Sequence, residues 1–206
     1  SRTEQDQFTI RSHQLAAEAH SQGWYDSEIY VYKGSRQENN IRPELEITKI
    51  EKLKSSFLKN GTHTAANSTG LTDGASTCLI SSEEMAQQMS IEPLAYLEDS
   101  LCVGTDPFQE MLLGPAYSIP KLLKRNNLTL NDIGIFEIHE AFAGQILANL
   151  NALNSQSFCS ENLHLDKLGE IPMDKLNLWG GSLAIGHPLA ASNIRNIMTA
   201  LNRMKK

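Results

Sequence analysis

The stretch "DIGIFEIHEAFAGQ", Asp132 to Gln145, decides how the chain is to be read. Its first half, Ile133 to Ile138, is an apolar run of the length of a buried strand. Its second half opens a helix on which Phe142, Ile146, Leu150 and Leu153 share one face. His139 and Glu140 stand between the two, at the end of a strand and the start of a helix, where open α/β sheets place ligand sites. A strand that runs straight into an amphipathic helix implies layers of both kinds around one core.

Reading outward toward the N-terminus, "GPAYSIPKLLKRNN" (Gly114 to Asn127) predicts a helix with prolines in its early turns. "LAYLEDSLCVG" (Leu94 to Gly104) reads as a strand bent around its charged centre. Ser81 with Glu84 forms a capping-box pattern that opens a short helix ending near Met89. Before it, "GTHTAANSTGLTDGAS" (Gly61 to Ser76) is dense in small and polar residues whose backbone N–H groups can approach a ligand, and it feeds a strand-like "TCLI". Trp24 to Phe57 is mixed and charged, with the polar patch "KGSRQENN" (Lys33 to Asn40) and a break at Pro43, which suits a surface excursion. Ser1 and Glu4 make a second capping box for a first helix that buries Phe8, Leu15, Ala16 and Ala19 and stops at Gly23. Toward the C-terminus, Ile194, Ile197, Met198, Leu201 and Met204 recur at helical spacing. The alternation predicts an α/β layered fold.

The bulk numbers bound the function. The 206 residues suit one large domain or parts of two, and 40% hydrophobic content can fill a core. A net charge of -6 without long runs of one sign argues against nucleic acid or a polybasic membrane surface and for a small molecule or protein partner. Cys78, Cys102 and Cys159 are too irregularly spaced for a disulfide framework or a metal site and suit a reducing compartment. No apolar run would span a bilayer, and "SRTEQDQFTI" lacks a signal-peptide core. With no initiator methionine and Ser1 in a capping position, the chain reads as beginning in the middle of a longer protein.

A second histidine turn lies in "NLWGGSLAIGHPLAAS", Asn177 to Ser192, where His187 sits between Gly186 and Pro188 ahead of the last helix. Two histidines in turns of the same kind suggest a shared crevice, although a lone turn histidine more often caps or packs than catalyses. Glu140 equally suits a first-turn acid favoured by the helix dipole. His13 and His20, two turns apart, suit a solvated helix face, and His63 and His164 fall in polar loops. No pair has metal-ligand spacing. Cys78 and Cys102 lie in apolar runs and read as inert buried thiols, which leaves Cys159 in a loop as the one thiol open to reactivity. Residue types and spacing end at a ligand crevice.

Four strings, "SRTEQDQF", "GTHTAANSTGLTDGAS", "DIGIFEIHEAFAGQ" and "NLWGGSLAIGHPLAAS", resemble the thiolase family in this order and at the family's separations. The form "HEAF", with "GQILANLNALNS" and "NLWGGSLAIGHP", is most similar to the thiolase subunits of fatty-acid β-oxidation complexes. The resemblance implies a layered α/β fold of mixed sheets between helices, incomplete in this chain. Residues 1–58 would be a loop domain over the active site, 59–92 the end of the N-terminal core domain, and 93–206 the C-terminal core domain without its last strands. It implies thiolysis of a 3-ketoacyl-CoA, with His187 drawing the proton from a nucleophilic thiol and His139 acting through water on an enolate oxygen. Glu140 would orient its neighbours, and Thr69, Ala141, Phe142 and Gly186 would line the coenzyme A site.

The resemblance also implies no tightly held cofactor, with coenzyme A and acyl-CoA as substrates. It implies a homodimer or higher oligomer and a hydratase/dehydrogenase α-subunit as partner. The compartment would be a bacterial cytoplasm or a mitochondrial matrix, not the secretory route, with peripheral membrane association left open. None of the three cysteines matches the family's two catalytic ones, so the chain alone is expected to be inactive. Ala190 and Asn193 stand where the family commonly has glycine. Two rival readings follow from the missing sulfurs: a non-catalytic acyl-CoA-binding or scaffolding homologue, and a hydrolase built on Cys159 and His187.

Overall fold

A computed structural model describes residues 1–35 and 38–206. Arg36 and Gln37, in the middle of the predicted Lys33–Asn40 patch, lie outside the described residues. The helices are α1 (Arg2–Ser21), α2 (Ile47–Ile50), α3 (Glu83–Gln88), α4 (Gly114–Arg125), α5 (Ala143–Leu153), α6 (Gln156–Phe158), α7 (Ser182–Ile185) and α8 (Ser192–Met204). A π-helical turn, Cys159–Leu163, continues α6.

The Ser1–Glu4 capping box of α1 is formed in both directions. The buried face of this helix is largely polar: Gln5, Asp6, Thr9, Ser12 and His13 join Phe8, Ala16 and Ala19, while Leu15 is half-buried. His13 is therefore not on a solvated face. Its Nδ1 accepts the backbone N–H of Arg42 at 3.0 Å, so the ring ties α1 to the excursion that crosses it. His20 is exposed.

α1 packs on α5 and α7, and α4 packs on α5. The main core lies between them, with Phe8, Phe136, Ile146, Leu153, Leu176 and Leu183 at its centre. A smaller cluster joins Ala19, Tyr25 and Trp179. α4 keeps Pro115 in its first turn and continues through Pro120, while its Ala116 N–H is capped by the Asn149 side chain of α5 at 2.9 Å.

Several predicted elements take a different form. The Ile133–Ile138 run makes only one parallel bridge, Phe136 to Leu176. The reason is local: the Asn177 amide accepts the Ile138 N–H and donates to the Ile138 carbonyl, both at 2.8 Å, so a side chain stands where a strand would continue. "TCLI" and Leu94–Gly104 have no ladder partner among the described residues and run largely exposed, because alternation makes a strand only where a neighbour supplies the other half of the hydrogen bonds. The cap of α3 is Ser82, not Ser81. α8 buries Ser192, Thr199 and Arg203 and leaves Ile197 and Met204 more than half exposed. Its polar face is held inward by an ion pair of Arg203 with Glu137 and by bonds from Thr199 and Asn202 to Glu28.

The thiols are also redistributed. Cys102 is exposed and Cys78 half-buried, so neither is a core thiol. Cys159 begins the π-turn rather than a loop and is fully buried, its S–H 3.5 Å from the carbonyls of Ala152 and Leu153. A nucleophile sealed against carbonyls has no route to a substrate, which removes the Cys159–His187 hydrolase reading. No helix among the described residues is long and apolar enough to cross a membrane.

Candidate active site

The loop at 67–71 assembles the site by pairing with both histidine segments. The Thr69 N–H donates to the Ala141 carbonyl and the Ala143 N–H to the Asn67 carbonyl, each at 3.0 Å, around an antiparallel bridge from Ser68 to Phe142. On its other side the His187 N–H donates to the Gly70 carbonyl at 3.0 Å, beside a parallel bridge from Leu71 to His187. The loop itself is anchored by buried Asn67, whose amide donates to Asp6 and whose Oδ1 accepts the Thr64 N–H. A loop dense in small residues is what permits these three backbones to come together.

The result is a ring pair. His139 and His187 lie with ring centroids 4.1 Å apart and planes tilted by 44°. Nδ1 of His139 is 2.8 Å from Ser182 Oγ, and Nδ1 of His187 is 2.6 Å from Ser192 Oγ. Arg195 donates to Ser182 Oγ at 2.8 Å and to the Gly186 carbonyl at 3.0 Å. Nε2 of His139 is buried and has no hydrogen-bond partner. Burial, then the neighbouring His187 and Arg195, pull the His139 pKa down to about 4, and burial with Arg195 also lowers that of His187. Both rings are thus held neutral near pH 7.

Glu140 is fully buried, and its hydrogen bonds run to α1, to Asn177 and to α7. It accepts from Ser12 Oγ at 2.6 Å, Asn177 Nδ2 at 2.8 Å and the Leu183 N–H at 3.3 Å. Burial pushes its pKa up against the pull of these donors. Ser12 also accepts the Gly181 N–H at 3.1 Å, and a Cβ on Gly181 would collide with the Glu140 carboxyl. The second glycine of the pair is therefore demanded by the carboxylate beneath it. Gly186 has φ +79°, and a Cβ there would run into Thr72, so the turn that carries His187 closes only on glycine.

The remaining sequence-predicted residues divide by distance from the rings. Thr69 donates its hydroxyl to the Ser182 carbonyl at 2.6 Å, and Ala141 donates its N–H to Gln145 Oε1 at 3.1 Å. Phe142 meets Phe57 and His63 edge-on at 5.8 and 5.2 Å, an aromatic wall joined by a loop histidine. A cavity of about 340 Å³ opens beside Gly70, Leu183 and Gly186, with Ser68 on its wall and His13, Arg42 and Leu45 opposite. Neither catalytic-candidate histidine lines it, but Gly186, the residue before His187, and Gly70, which accepts the His187 N–H, do. Spacing did not single out Ser182, Ser192, Arg195, Ser12 or Asn177. Four of these lie within or three residues after the "NLWGGSLAIGHPLAAS" stretch, where hydroxyls next to the Gly-Gly pair and five residues past His187 were the available signal. Among the described residues no three His, Cys, Asp or Glu side chains converge on a metal position.

Comparison with known proteins agrees with this geometry. The family description "Thiolase, N-terminal domain" matches residues 1–84, and "Thiolase, C-terminal domain" matches 91–206. The chain belongs to the thiolase family, and its layered α/β fold is that of the family. It is 50% identical over its whole length to the "Probable 3-ketoacyl-CoA thiolase" of Caenorhabditis elegans, covering 48% of that protein. It is 47% identical, again over its whole length, to the mitochondrial trifunctional enzyme subunit beta of Bos taurus, covering 44%. The solved structure of human mitochondrial 3-ketoacyl-CoA thiolase in complex with CoA superposes with a TM-score of 0.81 at 28% identity, over 100% of this chain and 48% of the other. The chain thus spans about half the length of the relatives it matches.

Proposed function

We propose that the chain supplies the histidine side of a 3-ketoacyl-CoA thiolase, an acetyl-CoA C-acyltransferase that cleaves 3-ketoacyl-CoA with coenzyme A in fatty-acid β-oxidation. The observation that carries this reading is the His139–His187 pair, two neutral imidazoles in contact with both Nδ1 atoms engaged by serines. Ser192 gives its proton to the Pro188 carbonyl at 3.2 Å, so its oxygen accepts from His187 Nδ1–H and Nε2 keeps a lone pair. That lone pair takes the proton of a nucleophilic thiol. The thiolate adds to the 3-keto carbon, the Cα–Cβ bond breaks, and its electron pair passes to the enolate oxygen of the departing acetyl-CoA. His139, through water, stabilises that oxygen before the enolate is reprotonated. Coenzyme A then attacks the acyl thioester, releasing the shortened acyl-CoA and restoring the thiol.

In this reading residues 1–58 form the loop domain over the site, 59–92 the end of the N-terminal core domain and 93–206 the C-terminal core domain. Thr69, Ala141, Phe142 and Gly186 border the coenzyme A arm, and Glu140 keeps the Gly-Gly turn in place. Cys159 is sealed and no hydrogen bond among the described residues joins Cys78 or Cys102 to the ring pair, so this reading takes the thiol from elsewhere in the full-length protein. No cofactor is held tightly. The relatives named as mitochondrial trifunctional enzyme subunit beta support an α-subunit partner and a mitochondrial matrix location for this protein too, and a solved dimeric thiolase supports a dimeric or higher assembly.

The test is thiolysis of acetoacetyl-CoA and of a long-chain 3-ketoacyl-CoA, followed by loss of the ketoacyl enolate absorbance. The 206-residue chain is expected to be inactive and the full-length protein active. His187→Ala in the latter should lower kcat by about 10²–10⁴-fold, the usual contribution of a general base. Turnover by the full-length protein that His187→Ala leaves intact would overturn the assignment.

A further inference from the structure

We propose that Arg195 and Ser182 act as a positioning relay that locks His139 in the tautomer protonated on Nε2, so that this ring meets its ligand as a hydrogen-bond donor. The clause about its ligand rests on the thiolase reading; the tautomer does not.

The argument is a count of protons. A guanidinium has only donors, so Ser182 Oγ must accept from Arg195 across their 2.8 Å contact. Ser182 is buried, and its hydroxyl has one proton and one remaining neighbour, Nδ1 of His139 at 2.8 Å. That proton is donated to Nδ1. A neutral imidazole whose Nδ1 accepts carries its own proton on Nε2. Burial is the main cause of the ring's neutrality, and the charges of His187 and Arg195 add to it.

Arg195 is itself held in place. Its second N–H group donates to the Gly186 carbonyl at 3.0 Å, in the turn that carries His187. One guanidinium therefore spans the segments of both rings. The backbone side of Ser182 is fixed by Thr69, whose hydroxyl donates to its carbonyl.

The Nε2–H so produced is buried without a protein partner. A buried donor left unpaired carries its full desolvation penalty, which is relieved when a ligand acceptor arrives. An oxygen bearing developing negative charge, or a water held by one, is the acceptor that gains most. His187, whose Nδ1 faces a serine hydroxyl that has a carbonyl to donate to, is set up the opposite way. The pair is divided into a donor and an acceptor by the two different groups behind the serines.

The experiment is a long-range 1H–15N spectrum of protein labelled with 15N-histidine at pH 7.5, with the His139 signals assigned by their loss in His139→Gln. Wild type should show a pyrrole-type Nε2 and a pyridine-type Nδ1 for His139. Ser182→Ala, which adds no volume, should move His139 toward a mixture or the Nδ1–H form, and Arg195→Lys should do so partially. In the full-length protein Ser182→Ala should lower kcat for thiolysis about tenfold with KM little changed, as expected when a donor is misdirected rather than lost. A wild-type Nδ1–H signal, or a His139 tautomer unmoved by Ser182→Ala, overturns the relay. Absence of thiolysis with the tautomer as described would overturn the proposed function and leave the relay standing.

Discussion

Histidines held neutral below their ordinary pKa make stability depend on acid, and His13 does so outside the site. Burial, then the charge of Arg42, brings its pKa down to about 4 from an ordinary 6.5. The unfolded chain therefore binds a proton between pH 6.5 and 4 that the folded chain refuses, and stability present above 6.5 is lost as pH falls through that window. From pH 7 to pH 5 His13 should cost about 1–2 kcal/mol. Urea midpoints at the two pH values should show this loss, and His13→Gln should flatten it; an unchanged pH slope would place the acid sensitivity elsewhere. His139 contributes in the same window with the same sign.

At the scale of elements, the turn from Gly186 into α8 determines where His187 sits. Ala190 in this turn adopts φ +68°, the left-handed region in which a Cβ costs about 1–2 kcal/mol. The methyl group that replaces the family's common glycine is thus paid for in backbone strain, and Asn193 is exposed on α8 without crowding anything. Ala190→Gly should raise stability by about 0.5–1 kcal/mol after the entropy of glycine is deducted, read as a higher urea midpoint with unchanged slope. A lower midpoint would mean that the turn is not strained. α8 itself shows the limit of periodicity. Its apolar stripe at Ile194, Ile197 and Met204 promised an inward face, but Glu28 and Glu137 draw Thr199, Asn202 and Arg203 inward instead.

At the scale of the whole molecule, many large apolar side chains among the described residues are exposed. Phe108 is 96% exposed, and Leu79 and Ile80 before α3 and Leu97 after it are each more than 70% exposed. The extended stretches on either side of α3 have no ladder partner among the described residues, and such a segment is a template for pairing with another chain. The 206-residue chain should self-associate or sediment in light scattering at micromolar concentration. A monodisperse monomer would show that the segment is covered some other way.

By itself the sequence determined the α1 cap, the α4 and α5 helices, the short apolar approach to His139 and the two turns that bring the histidines. Their local form depends on contacts within a few residues, as in the Ser1–Glu4 capping box and the positive φ of Gly186 that turns the chain into His187. Only the tertiary structure decided that His13 is buried, that Asn177 ends a strand with its own amide, that Glu140 bonds to Ser12, Asn177 and the Leu183 N–H, and that Ser182 and Arg195 stand behind His139. Each of those outcomes joins residues tens of positions apart, Ser12 to Glu140 or Asn177 to Ile138, and a buried polar group takes its role from whichever partner satisfies it. Spacing records which groups are present; the fold chooses which of them pair.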